Sequence, residues 1–188
     1  MQLGFYFNQE RCIGCHTCDI ACKDWNDLQE PGVSWRRIST TERGAFPEVF
    51  VAFLSLSCCH CAQPACATAC PVGAITKSGQ TGVVAVDQAT CLGKDACRAC
   101  LDACPYSVPQ FGPQVHAKMQ KCTLCPEKLA KGESPVCVSA CPVRALDAGP
   151  VDVLRAKYGA TREAVGFSYD SDLDPSLILR PKTQNPRN

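Results

Sequence analysis

Sixteen of the chain's 17 cysteines fall into four groups of four, which we call quartets one to four in chain order. Each quartet ends in two cysteines separated by three residues, and a proline follows the last cysteine in three of the four quartets. Cys59 is left over. The quartets are Cys12, Cys15, Cys18 and Cys22; Cys58, Cys61, Cys66 and Cys70; Cys91, Cys97, Cys100 and Cys104; and Cys122, Cys125, Cys137 and Cys141.

Quartet one has the spacing Cys-x2-Cys-x2-Cys-x3-Cys, which is typical of bacterial ferredoxins. The first three cysteines of this motif wrap a loop around one iron–sulfur cube. The fourth lies too far round and binds the second cube of a two-cluster protein. Backbone N–H groups of the loop point at the sulfurs and offset the negative charge of the cluster. Four quartets therefore predict four [4Fe–4S] clusters, with electron transfer as their function.

The other quartets depart from this spacing in their middle sections. Quartet two has four residues between Cys61 and Cys66, and quartet four has eleven between Cys125 and Cys137. In quartet three, five residues separate the first two cysteines where the motif has two, as if 94–96 had been inserted. A cysteine out of reach would leave a three-iron cluster at that site. We expect four irons, because lengthening a loop by three residues adds little to the entropic cost of closing it.

Structural zinc and a disulfide framework are the alternative uses for so many cysteines. Zinc sites also use Cys-x2-Cys pairs, but four groups that each end in Cys-x3-Cys are not a zinc-ribbon pattern. The odd number of cysteines argues against a disulfide framework. His16, His60 and His116 lie in or beside loops, and the cysteines supply enough ligands without them.

The charge and hydropathy of the protein limit its partners. A formal net charge of +1 gives no large field that would attract nucleic acid or an anionic membrane. No apolar run reaches the roughly 20 residues that a membrane span needs, so we expect no direct span. Residues 1–8 lack the charged and apolar regions of a secretory signal. We therefore expect a cytoplasmic protein, or one exported in folded form with a partner that carries the signal.

The segments between the quartets predict a small amount of regular structure. Strands are predicted at 3–7 and 48–56, a hairpin over 75–87, and helices at 19–29, 127–131 and 151–158. Gly159 is a suitable stop for the last helix. From Ser168 onward the chain is predicted to be extended, because prolines at 175, 181 and 186 exclude a long helix. Such a tail is either disordered or laid along a partner.

Several sequence motifs resemble those of the iron–sulfur subunit of dimethyl sulfoxide reductases. The resemblance extends over nearly the whole chain, to about residue 181. The motifs are GFYF at 4–7, CIGCHTC at 12–18, ACKD at 21–24, VSWRRI at 33–38, LSLSC at 54–58, PAC at 64–66, CPY at 104–106 and RALDAGP at 144–150.

The resemblance implies an α+β fold of two interleaved ferredoxin-like modules, each with two [4Fe–4S] clusters. Module A would comprise 1–50 and 115–150, module B 51–114, and 151–188 would form a C-terminal helix and an extended tail that binds a partner. The implied ligand sets, one for each cluster, are Cys12, Cys15, Cys18 and Cys141; Cys122, Cys125, Cys137 and Cys22; Cys58, Cys61, Cys66 and Cys104; and Cys91, Cys97, Cys100 and Cys70.

The resemblance also implies partners. A large molybdenum or tungsten pterin subunit would do the substrate chemistry, and a membrane-anchor or flavin subunit would be a second redox partner. The lengthened spacing in quartet three departs from the dimethyl sulfoxide reductase pattern. It leaves two alternatives in which the protein is the small subunit of a complex, a tungsten aldehyde oxidoreductase or a benzoyl-CoA reductase type. A third alternative is an independent soluble polyferredoxin. Trp25 and Trp35, interpreted as buried, favour a fixed partner over free diffusion.

Overall fold

The computed structural model describes residues 1–183, so 184–188 of the predicted tail lie outside the described residues. Short helices and strands alternate along the chain, which confirms the α+β class. In chain order the elements are β1 Leu3–Asn8, α1 Thr17–Trp25, β2 Arg37–Ala45, β3 Glu48–Leu56, α2 Ala65–Thr68, β4 Ile75–Lys77, β5 Val84–Val86, α3 Ala99–Asp102, α4 Pro126–Leu129, α5 Val136–Ser139, β6 Leu146–Pro150, α6 Val151–Tyr158 and β7 Leu177–Arg180.

A three-stranded sheet in the order β6-β1-β7 joins the two ends of the chain. Strand β1 is antiparallel to β6 and parallel to β7, and all six of its residues are buried. Phe5 and Phe7 of this strand lie in the main hydrophobic core. On a second, smaller core, the ring of Tyr6 stacks on that of Tyr158 from α6 with 3.7 Å between centroids.

Two antiparallel hairpins accompany this sheet. The predicted hairpin is confirmed as β4 and β5, in which Ile75 pairs with Val86. The longer hairpin consists of β2 and β3, and β2 was not predicted. Its sequence, RISTTERGA, is mostly polar and exposed, so no apolar pattern marks it as a strand. In the described part of the chain, no helix has the length and apolar character needed to cross a bilayer.

The predicted helix at 151–158 is confirmed as α6, while the one at 19–29 is shifted. Helix α1 begins at Thr17 and ends at Trp25, since Asp27 takes a left-handed φ of 48° and turns the chain away. Trp25 is 46% exposed, so its interpretation as a buried aromatic was wrong. Helices α2, α3 and α5 have four residues each and occupy the Cys-x3-Cys ends of quartets two, three and four. They are too short for periodicity to reveal.

The C-terminal segment is part of the protein's own core. Strand β7 pairs with β1, and Leu177, Ile178 and Leu179 are buried. The Ser176 N–H donates to the Cys59 carbonyl at 3.0 Å, which fixes the chain before this strand. The predicted extended conformation is found in this segment, which is ordered because its apolar side chains complete the central sheet, and binding of the tail to a partner stays a prediction.

Gly4 and Gly149, which pair across β1 and β6, offer a matched test of packing. A methyl group added at Gly4 would clash with the Ser176 carbonyl oxygen, whereas one at Gly149 meets nothing within 4 Å. We expect Gly4→Ala to destabilise the protein by about 1–3 kcal/mol through overpacking. Gly149→Ala should leave stability unchanged within about 1 kcal/mol. Anaerobic thermal unfolding followed by circular dichroism measures both. Equal midpoints for the two variants would contradict the β1–β7 packing described above.

Candidate metal centres

The first set of neighbouring thiols, group I, consists of Cys12, Cys15, Cys18 and Cys141. Burial raises the pKa of Cys12, and the nearby thiolates of Cys18, Cys141 and Cys15 raise it further. Cys15 is exposed, and the Thr17 hydroxyl 3.3 Å from its sulfur lowers its pKa. Packing of α1 against α5 brings the end of quartet four to quartet one, across more than a hundred residues of sequence.

Group II consists of Cys22, Cys122, Cys125 and Cys137, and all four are buried. Burial strongly raises the pKa of Cys22, and the thiolates of Cys122, Cys137 and Cys125 add to the effect. Left-handed φ values at Leu124 and Cys125 turn the loop tightly. In this turn the Leu124 N–H donates to the Cys122 sulfur at 3.4 Å. The last cysteine of quartet one thus lies among the first three of quartet four.

Group III consists of Cys58, Cys61, Cys66 and Cys104. Burial raises the pKa of Cys61 to about 12, with contributions from the thiolates of Cys58, Cys104 and Cys66. The His60 N–H donates to the Cys58 sulfur at 3.5 Å from a residue with a left-handed φ of 45°. The last cysteine of quartet three therefore lies beside the first three of quartet two.

Group IV consists of Cys70, Cys91, Cys97 and Cys100, which line one small cavity together with apolar side chains such as Met119. Burial raises the pKa of Cys100 to about 11, and the thiolates of Cys91 and Cys97 contribute. The last cysteine of quartet two thus lies with the first three of quartet three.

The additional residues of quartet three form a compact turn. The Cys97 N–H donates to the Gly93 carbonyl at 2.9 Å, and the Lys94 N–H donates to the Ala117 carbonyl at 3.0 Å. Gly93 has a φ of 92°, which favours glycine. The turn takes up the extra length, so Cys91 and Cys97 still face the same cavity.

The four groups follow one another in a row. Each group has a cysteine that lies close to a cysteine of the next group. Burial is the main cause of the raised pKa of such a cysteine, and the charge of its neighbour in the next group raises that pKa further. The order is therefore group I, group II, group III, group IV. The pairs that link successive groups are Cys18 with Cys137, Cys122 with Cys58, and Cys66 with Cys100.

The chemistry of these donors suits iron–sulfur clusters. All of the cysteines are free thiols. Backbone N–H groups donate to the sulfurs of Cys58, Cys122 and Cys141, as the N–H groups around a cluster do. Within residues 1–183, no three His, Cys, Asp or Glu side chains converge closely enough to hold a single ion.

His60, between Cys58 and Cys61, supplies a further donor. Its Nδ1 accepts the Val84 N–H at 3.1 Å, which places the ring proton on Nε2. Burial lowers the pKa of His60 well below its usual value, and the nearby Lys121 lowers it further, so the ring is neutral. Nε2 is buried and has no hydrogen-bond partner among the described residues. A cluster sulfur is an acceptor that such an N–H could satisfy.

Two buried cations lie near the groups, and the sequence pattern does not distinguish them from surface charges. Lys121, next to Cys122, is 2% exposed and donates to the carbonyl oxygens of Val84 and Cys122. Arg36 is also 2% exposed, although arginine is among the residues least often buried. It lies just before β2, far in sequence from any quartet.

The fold and its thiol groups define an α+β iron–sulfur protein of the 4Fe–4S ferredoxin type. In agreement, residues 49–151 match the family described as a 4Fe-4S dicluster domain. The B subunit of the anaerobic dimethyl sulfoxide reductase of Escherichia coli strain K12 is 41% identical over 192 residues, which cover 98% of this sequence and 91% of the relative. The protein therefore belongs to the family of iron–sulfur electron-transfer subunits of dimethyl sulfoxide reductases, which confirms the resemblance noted above.

Other relatives extend this similarity. The corresponding B subunit of the anaerobic dimethyl sulfoxide reductase of Haemophilus influenzae is 41% identical over 189 residues, or 96% of this sequence and 89% of the relative. "Thiosulfate reductase electron transfer subunit PhsB" of Salmonella typhi is 38% identical over 148 residues, which cover 77% of this sequence and 74% of the relative.

Cys59 is buried beside group III, and its sulfur contacts the Ser57 carbonyl oxygen at 3.8 Å. We expect Cys59→Ser to keep the full iron content, because sixteen other cysteines supply all of the ligands. Cys58→Ser should lose one cluster under the same conditions. Iron and acid-labile sulfide in anaerobically purified protein measure both. Loss of iron in the Cys59 variant alone would mean that Cys59, not its neighbour, is the ligand.

Proposed function

We propose that this protein carries four [4Fe–4S] clusters and relays electrons between a large molybdenum or tungsten pterin subunit and a second redox partner. The observation that carries the proposal is the order of the four thiol groups, each adjacent to the next. Bound clusters would supply one-electron carriers along this row. The protein itself supplies the thiolates, the buried environment and the backbone donors that hold them.

In this proposal each group holds one cluster, and the last cysteine of every quartet serves a cluster of its partner quartet. Quartets one and four would form module A, from 1–50 and 115–150, and quartets two and three module B, from 51–114. The proximity of Cys22 to Cys122 and of Cys12 to Cys141 supports the first exchange. The proximity of Cys61 to Cys104 supports the second.

Exposed apolar side chains lie near both ends of the row. Cys15 of group I is exposed, and the neighbouring Ile13 and Ile20 are 59% and 61% exposed. At the other end, Val72 and Leu92 line the cavity of group IV and are also exposed. Exposed apolar side chains at both ends suit two protein partners, with the row of clusters between them.

The relatives indicate the class of complex. By their names they belong to a dimethyl sulfoxide reductase and a thiosulfate reductase. We therefore propose a reductase of this sulfur-compound class as the pterin partner, and a membrane-anchor or flavin subunit as the second. The compartment would be that of the pterin subunit: the cytoplasm, or outside it after export in folded form.

The composition of the isolated complex tests the proposal. Anaerobic purification through a tag on this protein should recover a stable large pterin subunit. The tagged protein should contribute about sixteen irons and about sixteen sulfides, since each of four cubes holds four of each. Zinc in place of iron, without visible absorption, would contradict the cluster assignment. A monodisperse free protein with full iron would instead support an independent polyferredoxin.

A pair of single variants tests the exchange of ligands between quartets. Cys141→Ser should alter the cluster of group I, and Cys22→Ser should alter the cluster of group II, because each cysteine is proposed to serve the other quartet's cube. Electron paramagnetic resonance of the reduced full-length protein distinguishes the two, since each variant should lose or change a different signal. If Cys141→Ser changed the same cluster as Cys122→Ser, the ligand sets would be wrong.

A further inference from the structure

Arg36 is a buried guanidinium whose hydrogen-bond partners are all neutral. Its Nη1 donates to the Ser55 hydroxyl at 3.0 Å and its Nη2 to the Ser57 hydroxyl at 2.8 Å. The guanidinium carbon lies 4.7 Å from the centroid of the Phe5 ring. None of the ion pairs in the described part of the chain involves Arg36. The positive charge is thus surrounded by groups that cannot neutralise it.

Removing a charge from water without a partner is costly, and buried charges in proteins are normally paired or bound to metals. An arginine cannot escape this cost by losing its proton. The protein must therefore offer Arg36 a compensating negative charge, and the described residues around it contain no carboxylate at ion-pair distance.

Thiols of groups I and II lie near Arg36. Burial raises the pKa values of Cys18, Cys22 and Cys122, while the charge of Arg36 lowers all three. The Ser55 hydroxyl that accepts from Arg36 also lies 3.5 Å from the Cys18 sulfur. Cys18 belongs to group I and the other two to group II, so the cation lies at the boundary between two groups.

We propose that Arg36 is the fixed counter-cation of the clusters at groups I and II and raises the reduction potentials of both. The inference rests on the proposed ligand sets. A cluster with four thiolates carries net negative charge, and that charge grows when the cluster accepts an electron. A nearby positive charge in a buried site therefore favours the reduced form. Arg36 positions no substrate and donates no proton; its contribution is a permanent charge where the two clusters meet.

The test compares Arg36→Met, Arg36→Lys and the control Arg37→Met in the full-length protein, by anaerobic redox titration with electron paramagnetic resonance. Arg37 is exposed and donates to the carbonyl oxygens of Tyr106 and Ser107, so its loss removes a surface arginine whose hydrogen bonds go to backbone oxygens of the loop after Cys104. Arg36→Met should lower the reduced-to-oxidised ratio of two clusters about tenfold or more at fixed potential, a shift of about 59 mV. The cluster of group III, whose Cys58 lines a small cavity with Arg36, should shift by less, and the cluster of group IV should be unchanged, as should all four clusters in Arg37→Met.

Arg36→Lys separates charge from shape. It keeps the positive charge but loses the planar guanidinium that donates to both Ser55 and Ser57. All four reduction potentials should therefore stay close to those of the unchanged protein. If the Arg36→Met protein does not bind its clusters, the potentials of the Arg36→Lys protein test the proposal instead. Full iron with unchanged potentials supports the proposal, and lowered potentials despite the retained charge overturn it. Full iron and unchanged potentials in Arg36→Met also overturn it, as does an equal shift of all four clusters.

The signals are assigned to groups I and II with Cys141→Ser and Cys22→Ser. If those variants change clusters other than the expected ones, the proposed ligand sets fail, and this is visible before any potential is measured. The role of Arg36 is then overturned with them. If the ligand sets hold and the potentials do not respond to Arg36, the relay proposal stands and only the counter-cation is rejected.

Discussion

The meeting of thiols that are distant in the sequence is the constraint on which the rest of the structure depends. Cys22 lies among cysteines a hundred residues further on, and Cys141 lies beside Cys12. Helices α1 and α5 pack together where these thiols meet, and the main hydrophobic core includes six cysteines among its buried members. Because a bound cluster would hold these cysteines together, we expect cofactor binding to contribute to the stability of the fold. Binding free energy then becomes folding free energy.

Electrostatics follows from the same arrangement. Gathering many thiolates in buried sites concentrates negative charge, and the structure places two buried cations, Arg36 and Lys121, beside the row. Arg36 lies between groups I and II, and the charge of Lys121 lowers the pKa of Cys66 in group III against the larger effect of burial. Neither side chain forms an ion pair with a carboxylate in the part of the chain that the structure describes. In the proposal above, a cluster held by the cysteines supplies the compensating charge for Arg36.

The cysteine spacing alone predicted the kind of cofactor, because few other sites use four Cys-x3-Cys endings. Strands β1 and β3, the β4–β5 hairpin and helix α6 were predictable from apolar runs and turn residues. Strand β2 was not, since its residues are polar and only its pairing with β3 defines it. Strand β7 and the burial of Arg36 depend on contacts with distant segments, and nothing in their local sequence records those contacts. Trp25 was predicted to be buried because it is aromatic, but it is exposed, since aromatic character alone does not determine burial.

The parallel pairing of β7 with β1 makes the first and last strands of the described residues neighbours in one sheet. During synthesis on the ribosome, β1 emerges before β7 and remains without this neighbour until β7 has also been translated. This sheet therefore cannot form progressively as the chain emerges. A nascent chain must therefore be kept from aggregating through its apolar strand β1 until that neighbour is available.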